Sequence, residues 1–397
     1  MTTDKAFYHN LMKNLFTDVC EVKYFDGEVK KYGQGEARFR IELNEPIAKS
    51  QLISDPSLAF GEAYMKGKIE IVGSVQKVIE SIYKNTDSFL SQKKPYAKLA
   101  KMFSNSIRKA KDDVKYHYDI GNDFYRLWLD ETMTYSCGYF KSPEDSLLRA
   151  QKNKVDHILR KLNLQKGQTL LDIGCGWGEL ILAAAKTFGV KSLGITLSSE
   201  QYCPVQEKIE AEKLQDLVEV QQIDYRELRD RTFDRVVSVG MLEHVGKEQL
   251  KDYFSSVESL LNVNGVSLLH CITSYQDGQT NSWMNKYIFP GGYIPAIHEL
   301  VSLMASNKFY LIDLESLREH YTRTLEHWAR NFENALPEIR KIKDETFIRM
   351  WRLYLNSCAA SFHTGNIDVH QFLFTRGVNN SLPLTRKYMY ECDNNQP

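Results

Sequence analysis

Leu170–Gly178 reads LLDIGCGWG, and this stretch decides the fold of the larger part of the chain. A short apolar run of the kind that forms a buried strand ends in glycines spaced G-x-G-x-G, and a helical stretch, Leu180–Phe188, follows. Glycines let the backbone turn tightly and approach a ligand. A dinucleotide-binding loop has the spacing G-x-G-x-x-G and an acidic residue about 20 positions later. The matching place here, Gly194–Ser198, has no acid before Glu200, which argues against NAD.

Apolar runs and helical stretches alternate on the C-terminal side of this loop. The runs that predict strands are Thr169–Ile173, Val190–Thr196, Val218–Ile223, Phe233–Val239 and Val266–Ile272. Helical stretches such as Glu200–Leu214 lie between several of them. This alternation is typical of an α/β fold, a doubly wound parallel sheet with helices on both faces. Ligands of such sheets bind at the carboxyl ends of the strands, so we expect the functional residues there.

Two of these strand ends carry residues that favour S-adenosyl-L-methionine over NAD. Asp172 stands just before the glycines, and Asp224 and Tyr225 follow the third predicted strand. A carboxylate attracts the cationic amino acid part of a sulfonium cofactor, and an aromatic ring can stack on adenine. The alternative interpretation is that the glycines form a tight turn and nothing more.

The N-terminal part of the chain has a different pattern. Leu11, Leu15 and Val19 recur at helical spacing, as do the apolar residues of Val75–Ile82, whereas Arg38–Leu43 alternates as a half-buried strand does. We therefore predict a smaller α+β accessory domain that docks on lipid or membrane.

The predicted domain boundaries are 1–105 for the accessory domain, 106–145 for a linker and cofactor-covering segment, and 146–397 for the catalytic domain. Between Lys93 and Lys115, eight basic residues face two acidic ones. This basic strip is either a solvated linker or a surface for anionic lipid phosphates. The sequence does not choose between the two.

Charge and composition exclude several classes of protein. The chain has 397 residues with 51 basic and 51 acidic side chains, and zero net charge excludes a globally basic nucleic-acid coat. No apolar run approaches the roughly 18 residues that span a bilayer, and the first residues mix charges into the apolar pattern, unlike a signal peptide. The seven cysteines are scattered without C-x-x-C pairs, so we expect reduced thiols and no metal site. The composition indicates a soluble cytoplasmic enzyme.

Several motifs, in order along the chain, resemble those of one enzyme family, the cyclopropane-fatty-acyl-phospholipid synthases. They are Gly61–Met65, Tyr135–Cys137, Leu171–Gly178, Gly240–Gly246, Leu269–His270, Phe289–Gly292 and Tyr354–Cys358. Together they cover roughly residues 60 to 380. The N-terminal domain makes the chain similar to the bacterial phospholipid-modifying members rather than to the mycolic-acid-modifying relatives.

The resemblance implies a Rossmann-like class I methyltransferase fold that binds S-adenosyl-L-methionine. The implied substrate is a cis double bond in an acyl chain of membrane phospholipid. The family also leads us to expect a homodimer that associates peripherally with the inner membrane surface. Besides Asp172, the cofactor residues implied by position are Tyr135 and Ser136; Gly174, Cys175 and Gly176 along the amino acid; Thr196, Leu197, Ser198, Ser199, Glu200 and Gln201 at the ribose; and Asp224 and Tyr225 at the adenine.

The implied chemistry needs a base of an unusual kind. An alkene is a weak nucleophile, so it must be held in line with the methyl group in a water-free pocket. Methyl attack leaves a carbocation, and the base that removes the next proton must not trap it. The family is understood to use a bound bicarbonate ion. The residues that the resemblance assigns to hold this ion are Glu243, His270, Tyr321, Cys137 and the backbone of Ile272.

Glu243 beside an anion makes sense if bicarbonate donates its own O–H to the carboxylate while His270 and Tyr321 donate to its oxygens. Without the family match, Glu243 reads as a helix-capping acid, His270 as a satisfied core histidine and Tyr321 as packing. Cys358 lies in an apolar helical stretch where a cysteine is usually filler. The family assigns that thiol an active-site role, although a thiolate beside a carbocation would be alkylated.

An apolar channel for the acyl chain is the last feature that the sequence suggests. The side chains that would line it are Trp283, Tyr287, Ile288, Phe289, Tyr293 and Ile294, although such a cluster is more often core. Two other functions stay open at this point. One is a C- or N-methyltransferase that acts on a soluble small molecule, and the other is a non-catalytic lipid or cofactor binder.

Overall fold

The computed structural model describes residues 3–85, 120–276 and 281–390. The strands are β1 (Cys20–Lys23), β2 (Val29–Tyr32), β3 (Phe39–Leu43), β4 (Ile69–Val72), β5 (Thr169–Ile173), β6 (Lys191–Thr196), β7 (Val218–Gln222), β8 (Phe233–Val239), β9 (Leu261–Thr273), β10 (Phe309–Ser316) and β11 (Asp368–Arg376). The helices are α1 (Thr3–Lys13), α2 (Lys49–Ser54), α3 (Pro56–Met65), α4 (Val75–Tyr83), α5 (Asn122–Arg126), α6 (Leu147–Lys161), α7 (Glu179–Phe188), α8 (Ser199–Ala211), α9 (Leu250–Leu260), α10 (Ser282–Tyr287), α11 (Ile297–Ser306), α12 (Arg318–Asn334), α13 (Leu336–Ile339), α14 (Glu345–His363) and α15 (Lys387–Tyr390). Two 3₁₀ turns, Leu242–His244 and Lys247–Gln249, follow β8.

These residues divide into two compact units. The first contains residues 3–85, 281–290 and 325–367, and the second contains residues 120–276, 291–324 and 368–390. The division falls inside α12, after Thr324. The predicted boundaries at 105 and 145 do not include the two later segments of the first unit. The basic strip between Lys93 and Lys115 lies outside the described residues.

The second unit is built on a seven-stranded sheet of order β10-β11-β9-β8-β5-β6-β7. Strands β7, β6, β5, β8 and β9 are parallel, and β11 is antiparallel to both of its neighbours. The chain runs from β5 outward to β7 and returns to β8 on the other side of β5, so the strand order reverses between β5 and β8. A reversal of this kind opens a crevice at the carboxyl ends of the strands. The predicted doubly wound α/β fold is confirmed.

The predicted strands correspond closely to those observed. Thr169–Ile173 and Phe233–Val239 are β5 and β8 with the predicted bounds, and the run Val266–Ile272 is the C-terminal part of the longer β9. Four of the five residues of β5 are buried, because helices cover both faces of a parallel sheet. The antiparallel strands β10 and β11 were absent from the sequence prediction.

The first unit has its own sheet, of order β2-β1-β3-β4, and its own core. Arg349 of α14 ties this unit together, since its guanidinium donates to the backbone carbonyls of Tyr64 and Ile69 and pairs with Glu70 at 2.8 Å. One sequence prediction is wrong here. The spacing of Leu11, Leu15 and Val19 suggested one helix, but α1 ends at Lys13.

Side-chain caps fix where several helices begin. The acidic caps Asp55 and Asp344 accept from the amides at the starts of α3 and α14, and the serine caps Ser74 and Ser146 do the same for α4 and α6. A cap of this kind contributes about 1 kcal/mol. Among the helices of the described residues, none combines the length and the apolarity needed to cross a bilayer.

Candidate active site

A cleft opens in the second unit at the carboxyl ends of β5, β6 and β8, where the strand order reverses. Eleven of the fourteen predicted cofactor residues line it: Tyr135, Ser136, Asp172, Gly174, Cys175, Gly176, Thr196, Leu197, Gln201, Asp224 and Tyr225. The other three, Ser198, Ser199 and Glu200, lie at the start of α8 and are not part of its lining. The Glu200 carbonyl accepts from the Asn122 side chain at 2.8 Å.

The glycine loop forms the floor of this cleft because of its backbone geometry. The N–H groups of Gly174 and Cys175 both donate to the Ile195 carbonyl at 3.0 Å, which joins the loop to β6. Gly178 has a φ of +86°, and a Cβ atom there would lie 2.9 Å from Val205 Cγ1. A residue with a side chain would therefore be strained and would collide with α8. The predicted tight turn is present, and it lines a cleft.

Asp172, near the end of β5, is the most perturbed acid of the cleft. It is only 3% exposed, and its Oδ1 has no hydrogen-bond partner. Burial raises the pKa of this carboxyl to about 7, although the cation of Lys154 acts in the opposite direction. An unpartnered buried acceptor of this kind fits a cationic ligand group.

Asp224 and the segment from Thr196 to Gln201 are already tied into the protein. Both oxygens of Asp224 accept from the Arg226 guanidinium, at 2.9 Å and 2.8 Å. Thr196 Oγ1 donates to Gln201 Oε1 at 2.7 Å and accepts from the Ser198 amide at 3.1 Å. These bonds hold the carboxyl ends of β6 and β7 in a defined shape at the cleft.

Glu243 lies in the 3₁₀ turn after β8, where its carboxyl group has two different surroundings. Its Oε1 accepts from the Ile272 N–H at 2.6 Å, whereas its Oε2 is buried and has no hydrogen-bond partner. Burial raises the pKa of Glu243 to about 7. The Ile272 backbone, expected to contact an anion, is thus the donor that orients the Glu243 carboxylate.

His270 lies on β9, the strand next to β8, and its ring is buried. Its Nδ1 is 3.3 Å from Nε2 of Gln371, the residue that faces it on β11. Burial, with the cations of Lys154 and Lys161 nearby, lowers the pKa of His270 to about 3. The imidazole is therefore neutral, and since the Gln371 amide donates to Nδ1, the ring proton is on Nε2.

Cys137 and Tyr321 meet at the carbonyl of Leu317, just before α12. The Cys137 thiol contacts this oxygen at 3.8 Å, and the Tyr321 N–H donates to it at 3.0 Å. Burial raises the pKa of the Cys137 thiol far above its ordinary value, so the group stays protonated. Five of the six predicted catalytic residues thus belong to the second unit.

Cys358 is the sixth, and the structure places it on α14 in the first unit. Burial raises the pKa of its thiol to about 12. The predicted channel residues are also divided between the units, since Trp283, Tyr287, Ile288 and Phe289 belong to the first and Tyr293 and Ile294 to the second. Within the described ranges, no group of three or more His, Cys, Asp or Glu side chains is arranged to hold a metal ion.

Sequence reasoning missed two titratable residues that line the cleft. Lys154 of α6 is 4% exposed and stands in line with Ala150 and Ile158, which are buried on the same face. A lysine at an inward position of a helix was the available signal. His244 also lines the cleft, and burial lowers its pKa to about 4, so this ring is neutral as well.

The chain matches a family model described as mycolic acid cyclopropane synthetase over residues 105–372, and a domain of unknown function over residues 7–94. It is 36% identical over 359 residues to the cyclopropane-fatty-acyl-phospholipid synthase of Escherichia coli K12, which covers 89% of this chain and 92% of that relative.

Two solved structures are also similar. The cyclopropane synthase MmaA2 from Mycobacterium tuberculosis has 36% identity and a TM-score of 0.64, covering 67% of this chain and 98% of that one. The mycolic acid cyclopropane synthase CmaA1, complexed with SAH and CTAB, has 35% identity and a TM-score of 0.63 with the same coverage.

Proposed function

Since the chain belongs to the family of mycolic acid cyclopropane synthetases, we propose that it closes cyclopropane rings on unsaturated acyl chains of phospholipids in the bilayer. S-adenosyl-L-methionine is the methylene donor, and the chain is a methyltransferase of the transferase class. The finer assignments concern the residues that hold the donor, the base that closes the ring, and the membrane.

The second unit fits the donor. Its cleft has a glycine loop that leaves room for a ligand at the backbone, and Asp172 Oδ1 is a buried acceptor without a partner. We assign the amino acid part to Asp172 and the loop Gly174–Gly176, and the ribose and adenine to the ends of β6 and β7. When bound, S-adenosyl-L-methionine supplies an electrophilic methyl group. The task of the protein is then to orient the alkene toward it and to exclude water.

The observation that carries the ring-closing assignment is the carboxyl group of Glu243. The Ile272 N–H orients one oxygen, and the other is buried with nothing to accept from. A hydroxyl of a small oxyacid anion would complete this acceptor. His270 presents an Nε2–H as a donor for such an ion. Bicarbonate fits this set, and when bound it supplies a base that is a poor nucleophile.

We also propose peripheral membrane association and a homodimer. A phospholipid substrate requires the protein to reach a bilayer surface, and the basic strip between Lys93 and Lys115 supplies charge that attracts anionic lipid. Binding to vesicles that neither increases with the anionic lipid fraction nor decreases with salt would contradict this role for the strip.

The test of the function is mass spectrometry of phospholipids. Vesicles with cis-unsaturated chains are incubated with the protein, methyl-labelled S-adenosyl-L-methionine and bicarbonate, and the expected product is an acyl chain heavier by one labelled methylene and without its double bond. Glu243→Gln keeps the shape of the site and removes the carboxylate. We expect it to bind S-adenosylhomocysteine as the wild type does and to form product at least about 10²-fold more slowly.

Other outcomes assign the function elsewhere. Label on a headgroup nitrogen would favour the small-molecule type of methyl transfer. Cofactor binding without any lipid product, in vesicles of several chain compositions, would overturn the substrate assignment and leave the methyltransferase fold in place.

A further inference from the structure

Lys154 is a buried cation at the cleft wall that the proposed chemistry has not yet used. Its Nζ donates to Ser136 Oγ at 3.0 Å, and the residue is 4% exposed. An ammonium group has three donors, so two remain. Among the described residues, no carboxylate oxygen lies within 4.0 Å of Nζ. Such a group is costly to bury, because it loses its hydration without gaining a counter-charge.

Asp172 is in the complementary situation on the same cleft. Its carboxyl is buried and Oδ1 has no partner. The two charges interact at a distance, since Lys154 lowers the pKa of Asp172 and Asp172 raises the pKa of Lys154, yet they form no ion pair. Burial is the larger effect for both groups, and it lowers the pKa of Lys154 to about 8. Two opposite buried charges held apart match a ligand that carries both.

The surrounding contacts hold Lys154 in position. Gln151, one turn earlier on α6, donates to the backbone carbonyl of Ser136 at 2.9 Å, while Lys154 donates to the Ser136 hydroxyl. The Tyr139 N–H donates to the Ala150 carbonyl at 2.9 Å, which joins the segment after Ser136 to the same helix. The helix therefore fixes the Tyr135–Ser136 segment and the ammonium group together.

We propose that Lys154 binds the α-carboxylate of the cofactor's amino acid while Asp172 binds its α-ammonium. The two side chains would thus read the zwitterion as a unit, with Ser136 as the positioning residue for the Lys154 ammonium. This inference rests on the proposed function, because it needs S-adenosyl-L-methionine as the ligand. It assigns a specificity role to α6, an element that precedes the glycine loop.

The test is equilibrium binding by calorimetry with two ligands, S-adenosylhomocysteine and its analogue without the carboxylate. The wild type should bind the analogue roughly 10²-fold more weakly, the usual loss when one member of a buried charge pair is missing. Lys154→Met should lose a similar factor for S-adenosylhomocysteine and bind both ligands with nearly equal affinity. Lys152→Met, at an exposed position of the same helix, is the matched control and should behave as the wild type.

Each outcome decides between the roles. Equal loss of both ligands in Lys154→Met would make the lysine a structural element and overturn the proposal. The comparison of the two ligands on the wild type needs no variant, so equal affinities there would also overturn it. Absence of S-adenosylhomocysteine binding by the wild type would instead count against the proposed function.

Discussion

Replacing Asp172 by Asn should make the protein more stable above neutral pH while it weakens cofactor binding. Burial raises the pKa of Asp172 from 3.8 to about 7. Between these values the unfolded chain releases the proton and the folded chain retains it, so the wild type loses stability as pH rises from about 4 to about 7. One pKa unit corresponds to about 1.4 kcal/mol, so the loss reaches about 4 kcal/mol at pH 8. Asn has no proton to lose and escapes this loss.

The assay is urea unfolding of both proteins at intervals from about pH 4.5 to 8.5, without ligand. The free energy of unfolding of Asp172→Asn minus that of the wild type should increase by about 1.4 kcal/mol per pH unit between about pH 5 and 7, and then level off. Any constant offset reflects lost contacts and does not enter the comparison. Asp216→Asn, at an exposed position, is the control and should run parallel to the wild type.

Ligand binding should reverse the order of stability. S-adenosylhomocysteine at about 100 times its Kd stabilises the wild type by about 2.7 kcal/mol, and the variant should gain far less at the same concentration. If the difference between the two proteins stays constant from pH 4.5 to 8.5, the carboxyl is not held near neutrality by burial. The assignment of Asp172 as an acceptor awaiting a cation would then be refuted.

Three further predictions test other parts of the structure. Nitrogen NMR of His270 should show its proton on Nε2, and Gln371→Leu should redistribute it between the two ring nitrogens; the same tautomer in both proteins would contradict the role of the amide. Cys358→Ser should keep the activity within about twofold, because a thiol with a pKa of about 12 is protonated at neutral pH; a loss of about 10²-fold would make the thiol functional. Arg349→Met should lower the free energy of unfolding of the first unit by about 3 kcal/mol in urea, since two buried carbonyls lose their donor and Glu70 loses its partner; an unchanged midpoint would contradict this.

The sequence predicts the second unit well where its signals are local. Parallel strands are covered on both faces, so β5 and β8 are continuous apolar runs with recognisable ends. Their ends meet at one edge of the sheet, which is why eleven of the predicted cofactor residues line one cleft. The first unit is harder to predict. Nothing local in residues 325–367 tells which of two cores the helices join.

The missed residues have a common reason. A lysine in a helix is usually exposed, and only the buried neighbours Ala150 and Ile158 reveal that Lys154 points inward. Gln371 contacts His270 across a strand pair, and the two are about a hundred residues apart in the chain. Periodicity identifies elements, whereas the partner of a buried polar group depends on strand order, which periodicity does not contain.

Burial accounts for both the reactivity and the selectivity of the proposed site. It raises the pKa values of Asp172 and Glu243 to about 7, so each carboxyl becomes a strong acceptor for a ligand proton or cation. The same desolvation raises the pKa values of the thiols Cys137, Cys175 and Cys271, which keeps them protonated and weakly nucleophilic. A reaction through a carbocation needs both effects together, because a proton must be removed where nothing else attacks the cation. A more exposed site would lower the thiol pKa values and provide the nucleophiles that intercept it.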